Sequence, residues 1–132
     1  MGLIIDTNVF VRAERSRASI DFRQWEEYDE VFISAITCSE LLVGVHKADT
    51  IERRIKRAAF VEAILEAIPV LVFDKEVARV HAQLMSTFPK AMTVGAHDLI
   101  IGATAIKHGF PVLTANTEEF SRMAGLSVLA FH

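Results

Sequence analysis

Apolar positions along the chain fall in short dense runs separated by longer stretches with helical spacing. The runs "GLIID", "VFIS", "VLVF", "VLTA" and "SVLAF" are rich in Val, Ile, Leu and Phe and predict strands. Between them, "SIDFRQWEEY" carries Ile20 and Trp25 on a polar background, the mark of a surface helix. "AITCSELLVGVHKA" is apolar almost all round, as a buried helix is. From 51 to 68, Ile51, Ile55, Ala58 or Ala59, Val61 or Glu62, and Leu65 recur near the helical period until Pro69 stops the pattern. "KEVARVHAQLMSTF" repeats it with Val77, Val80 or His81, and Leu84. Pro89 and Gly95 flank a loop, after which "AHDLIIGATAIKHG" predicts another apolar helix with Gly109 as its C-cap. Alternating strands and helices predict an α/β fold with a mostly parallel sheet of four to five strands and helices on both faces. With 132 residues and no repeat, low-complexity tract or linker, residues 1–132 form one domain.

Open α/β sheets place functional groups beyond the carboxyl ends of their strands, which sorts the acidic residues by position. Asp6 stands just past the first strand, where it is either an N-cap or a ligand. Glu40 lies inside an apolar helix, with Ile36 and Val43 on its face, so its carboxylate needs a partner. Asp98 repeats the anomaly among Ile101, Gly102 and Ala105, although near a helix start it also suits the macrodipole. Asn116, Glu118 and Glu119 follow the "VLTA" strand, either as an Asx turn and helix start or as part of a site. Neither "AITCSELLVGV" nor "AHDLIIGATAI" contains a Lys or Arg. Converging carboxylates without cations repel one another, and a hard divalent cation, Mg²⁺ or Mn²⁺, is the ion that an all-oxygen set neutralises.

Composition narrows the alternatives. The net charge of −3 argues against a generally basic nucleic-acid binder, and leaves local clusters at Arg12, Arg15 and Arg17 and at Arg53, Arg54, Lys56 and Arg57, which are otherwise solvated helix faces. An apolar content of 52% is high enough to suggest a surface kept for a partner subunit. No apolar run reaches the roughly eighteen residues of a membrane span, and the first residues lack a basic signal start, so a cytoplasmic protein is expected. The single Cys38 has no CxxC partner and reads as core filler. The five histidines show neither HxxxH nor HxH spacing, and His97 reads as a surface or helix-start residue. No Gly-rich phosphate loop or GxSxG elbow is present.

Taken together, "LIIDTNVFV", "ISAITCSELLVGV", "AHDLIIGATAIKHGFPVLTANTEEF" and "GLSVLAF" resemble the PIN domain, and more narrowly the VapC-type toxins of bacterial toxin–antitoxin pairs, over essentially the whole chain. The resemblance implies a three-layer α/β/α sandwich and a Mg²⁺-dependent ribonuclease, with Mn²⁺ as the alternative ion, in which Asp6, Glu40 and Asp98 hold the metal. Glu119 stands where the family often has an aspartate, one methylene shorter, so direct ligation by Glu119 is in question. Thr7, Asn8 and Asn116 match polar residues that orient the acids, and Arg12 and Arg15 are the candidates for holding RNA. The resemblance also implies a homodimer and a cognate VapB-like antitoxin. Two rivals remain: a non-catalytic PIN-like module that binds RNA or protein, and a receiver domain with Asp74 as phosphoacceptor, the latter on fold-level analogy alone.

Overall fold

The first strand, β1 (Gly2–Ile5), is buried at all four positions and lies in the middle of the sheet. It is followed by α1 (Thr7–Ser16), β2 (Glu30–Ser34), α2 (Ala35–His46), α3 (Ile51–Ala67), β3 (Val70–Leu71), α4 (Lys75–Thr87), α5 (Ala96–His108), β4 (Val112–Thr114), α6 (Thr117–Phe120) and β5 (Val128–Ala130). The computed structural model describes residues 1–16, 27–88 and 94–132. The strand order is β3-β2-β1-β4-β5 and every pairing is parallel, so the sheet expected to be mostly parallel is wholly so.

The alternation of side chains along each strand divides the core. Leu3 and Ile5 of β1, with Leu113 of β4, face Val9 and Phe10 of α1, Leu41 of α2 and Val61 of α3. Ile4 and Val112 face the opposite way, toward Val77 and Leu84 of α4, Leu99 and Ile101 of α5, and Phe120. Helices therefore cover both faces, giving the three-layer sandwich that the sequence led us to expect.

Local signals set the element ends. Ser34, Thr50 and Asp74 cap α2, α3 and α4 by accepting the backbone N–H groups of Thr37, Arg53 and Val77. Gly109 closes α5 at φ 71°, a left-handed conformation that glycine adopts without Cβ strain. Asp74 spends its carboxylate as a cap, which holds its pKa below the ordinary value, and β3 is separated from β1 by β2. That arrangement removes the receiver-domain reading. The helical spacing from Ile51 is that of α3, and Ile51 and Ile55 on it are 77% and 65% exposed. One pattern reading needs correction. The "VLVF" strand ends after Leu71, leaving Val72 and Phe73 exposed beyond an edge strand. Ile20, Trp25, Arg17 and Pro89 lie outside the described residues.

Candidate active site

The order β3-β2-β1-β4-β5 reverses direction between β1 and β4, and crevices form at the carboxyl ends of strands at such a switch point. Asp6 directly follows β1 there and is 4% exposed. Its backbone joins the strand to the helix. The N–H is donated to Leu113 of β4 (2.9 Å), and the carbonyl accepts from Val9 (3.1 Å), starting α1. The carboxylate lines the crevice, with Oδ2 accepting from the hydroxyl of Thr114 at 2.7 Å. Thr114, buried at the end of β4, also accepts from the N–H of Asn116 (2.9 Å). Asn8 accepts the N–H of Ala115 (3.2 Å) and approaches Thr114 through Nδ2 (3.4 Å). Asn8 thus braces the loop that holds Asp6, one step further from the acid than the sequence suggested.

Glu40 enters the same crevice from α2. Its Oε1 accepts from Thr7 Oγ1 at 2.8 Å, and its Oε2 lies 3.2 Å from Nδ1 of His97. Thr7 therefore serves Glu40 through its side chain. His97, on the first turn of α5, is surface-placed as expected, with the added role of facing Glu40.

Asp98, half-buried on the same turn, meets Glu119 side chain to side chain. Glu119 is held from two further directions: the backbone N–H of Gly95 donates to Oε1, and Nδ2 of Asn116 donates to Oε2 at 2.6 Å. Gly95 has no side chain for a reason of space. A Cβ there would lie 3.3 Å from Glu119 Oε1 and 3.4 Å from Asp98 Oδ2, wedged between the two carboxyls.

The four acids act on one another electrostatically. Burial pushes the Asp6 carboxyl up to about 6, helped by Glu40 and Glu119 and opposed by the hydrogen bonds from Thr114 and the Thr7 backbone. Burial first, then the negative charges of Asp6 and Glu119, push Asp98 up to about 7. Glu119 moves the other way, lowered chiefly by the Gly95 N–H. The opposite shifts place the shared proton on Asp98, which donates it to the Glu119 carboxylate.

Residues 3–126 match the family described as PIN domain. The chain belongs to the PIN domain family. Ribonuclease VapC1 of Rickettsia felis is 39% identical to this PIN domain over 130 residues, covering 98% of this chain and 96% of the relative. The solved VapBC-5 toxin–antitoxin structure from Mycobacterium tuberculosis superposes with a TM-score of 0.76 at 28% identity, covering 99% of this chain and 98% of that one. VapBC2 from Rickettsia felis, bound to a DNA fragment from their promoter, shares the fold with a TM-score of 0.88 at 22% identity and complete coverage of both chains.

In this PIN domain, Asp6, Thr7, Asn8, Glu40 and Asp98 line a cavity of about 260 Å³, and Glu40 and Asp98 continue into a second cleft with Gly95 and His97. Among the described residues no three Asp, Glu, His or Cys side chains close into a ready-made metal cage. Mg²⁺ needs no such cage, because it keeps several waters and is held by one or two carboxylates together with substrate phosphate. Asp6, Glu40 and Asp98 offer carboxylate oxygens to this cavity, and burial together with their mutual repulsion raises Asp6 and Asp98, a cost that a divalent cation would offset, so the residues fit such an ion.

The basic candidates separate. Arg15 is exposed and lines a groove that reaches Glu40, whereas Arg12 is exposed on α1 and lines none of these three cavities. The second basic cluster is largely spent on ion pairs, Arg53 with Asp49, Lys56 with Glu52 and Arg57 with Glu14. Pattern reading missed Thr114, Thr37 and Gly95. Thr114 was open to discovery, since it ends a central strand at the carboxyl edge, level with Asp6.

Proposed function

We propose that this PIN domain is a Mg²⁺-dependent endoribonuclease toxin of the VapC type, with Mn²⁺ able to replace Mg²⁺. The observation that carries the reading is the meeting of Asp6, Glu40, Asp98 and Glu119 at the β1/β4 switch point, where the charges acting on Asp6 and Asp98 come from the other acids. Relatives named as ribonucleases support the activity, and neighbours solved as VapBC complexes support a VapB-like antitoxin.

In this mechanism Asp6, Glu40 and Asp98 would hold the ion. When bound, it supplies Lewis-acid stabilisation of charge on the scissile phosphate and a water of lowered pKa. The chain's own residues arrange the rest. The Thr114 hydroxyl fixes Asp6, the Thr7 hydroxyl fixes Glu40, and Asp98 would release to solvent the proton it shares with Glu119 when the ion is held. Glu119, bound to Gly95, Asn116 and Asp98, acts as the residue that orients Asp98. Arg15 offers positive charge to the RNA backbone along the groove that reaches Glu40, and Arg12, exposed on α1 outside that groove, is the second candidate. The antitoxin silences the toxin by covering that same groove, and exposed Val70, Val72, Phe73 and Met85 suit a homodimer contact. Function in the cytoplasm belongs to this reading, and among the described residues no helix is long and apolar enough to cross a membrane.

The chemistry of the fragment ends tests the mechanism. Hydrolysis by water without the ribose 2′-hydroxyl leaves a 5′-phosphate and a 3′-hydroxyl. Fragments ending in a 2′,3′-cyclic phosphate would contradict the metal–carboxylate mechanism, and RNA binding without any cutting would favour a non-catalytic module.

A further inference from the structure

We propose that Thr37 is a positioning residue that aims the Glu40 carboxylate through Thr7, as the middle of a buried line of hydroxyls; this rests on the nuclease reading above. The line runs from Ser34 Oγ to Thr37 Oγ1 (3.3 Å), on to Thr7 Oγ1 (3.0 Å) and then to Glu40 Oε1 (2.8 Å). A hydroxyl has one proton to give, and an ionised carboxylate can only accept. Thr7 must spend its proton on Glu40, so the contact between the two threonines requires Thr37 to donate to Thr7. By the same count Ser34 must donate to Thr37, and the whole line has one consistent direction, ending at the carboxylate.

Burial makes that direction persistent. Ser34 and Thr37 are both 0% exposed, so bulk water does not compete for their lone pairs. The line also joins two elements: Ser34 and Thr37 begin α2, whereas Thr7 begins α1. Thr37 and Glu40, three apart on α2, share a helix face, yet they are coupled only by way of Thr7 on the other helix. The distance between the helix starts is thus converted into the position of one acid at the crevice. Ser34 has a separate duty as the helix cap, accepting the Thr37 backbone N–H at 3.2 Å. That bond uses the backbone of Thr37 and survives removal of its hydroxyl, so capping and positioning can be tested apart.

The decisive variants are Thr37→Val, which keeps the shape and removes the hydroxyl, and Thr37→Ser, which keeps the hydroxyl. The parent protein and both variants are assayed on a single-stranded RNA that the parent cuts, and Mn²⁺ binding is measured by calorimetry without RNA. For Thr37→Val we expect kcat to fall about 10- to 100-fold, the usual effect of losing an outer-shell partner, with KM for RNA unchanged and Mn²⁺ bound about tenfold more weakly. Thr37→Ser should restore both. If Thr37→Val does not fold, Thr37→Ala removes the same hydroxyl with less bulk and leaves the Ser34 cap in place, and the same loss in kcat at constant KM is expected. Unchanged kcat and Mn²⁺ affinity in a folded Thr37→Val, or in Thr37→Ala where it stands in, would overturn the proposal. So would a Thr37→Ser variant as impaired as Thr37→Val. A parent protein that neither cuts RNA nor binds Mn²⁺ would instead sink the nuclease reading, and this inference with it.

Discussion

Asp6 and Asp98 bind protons more tightly in the folded protein than free carboxyls do, about 6 and about 7 against an ordinary 3.8. Between the ordinary value and those raised values, the native state holds protons that the unfolded chain has released. Stability of the metal-free protein therefore falls as pH rises through that window, and is greatest on its acid side. For Asp6, which is almost wholly buried, the effect amounts to about 3 kcal/mol at pH 8. Asp6→Asn keeps an oxygen to accept from Thr114 and removes the charge, so it should stabilise the metal-free protein at pH 8 by up to that amount and not at pH 4. Urea unfolding in EDTA at the two pH values measures this, and equal stabilities for parent and variant at pH 8 would contradict the assignment. Gly95→Ala is a second test at this scale. Its Cβ would press between Asp98 and Glu119, so RNA cleavage should fall about tenfold or more while thermal unfolding barely moves, as befits a small displacement at a reacting centre. The acids themselves were legible in the sequence as charges stranded in apolar helices or at strand ends. Their orienting partners Thr37 and Thr114 were not read there, because a threonine in a strand or an apolar helix breaks no pattern.

Among the elements, α5 carries the closest packing. A Cβ at Gly102 would fall 2.1 Å from Sδ of Met123, which is itself 2% exposed and has little room to retreat. Gly102→Ala should cost about 1–3 kcal/mol by overpacking, read as a lower urea midpoint with an unchanged slope. The order and type of the elements followed from periodicity, since parallel strands buried on both faces leave dense apolar runs between helical patterns. One strand was drawn too long: Val72 and Phe73 lie exposed beyond β3, because an apolar run does not say where pairing in the sheet ends, just as the period of α3 does not say which side another layer covers and leaves Ile51 and Ile55 outward.

At the scale of the molecule, those exposed apolar residues are where a second copy is expected. The protein should sediment as a homodimer at micromolar concentration, and Val72→Lys, at a position 64% exposed, should shift it to monomer without unfolding it. A monomeric parent would remove that part of the account. The switch point between β1 and β4 was anticipated only as a rule about strand ends, and the strand order is what gathers four acids from distant parts of the chain into one crevice. The most direct test of that crevice is cleavage of total RNA by purified, antitoxin-free protein and by its Asp6→Asn variant, each with Mg²⁺ or with EDTA. The account predicts discrete cuts from the parent with Mg²⁺ and none in the other three reactions; cutting that persists in EDTA, or in the folded Asp6→Asn variant, would contradict it.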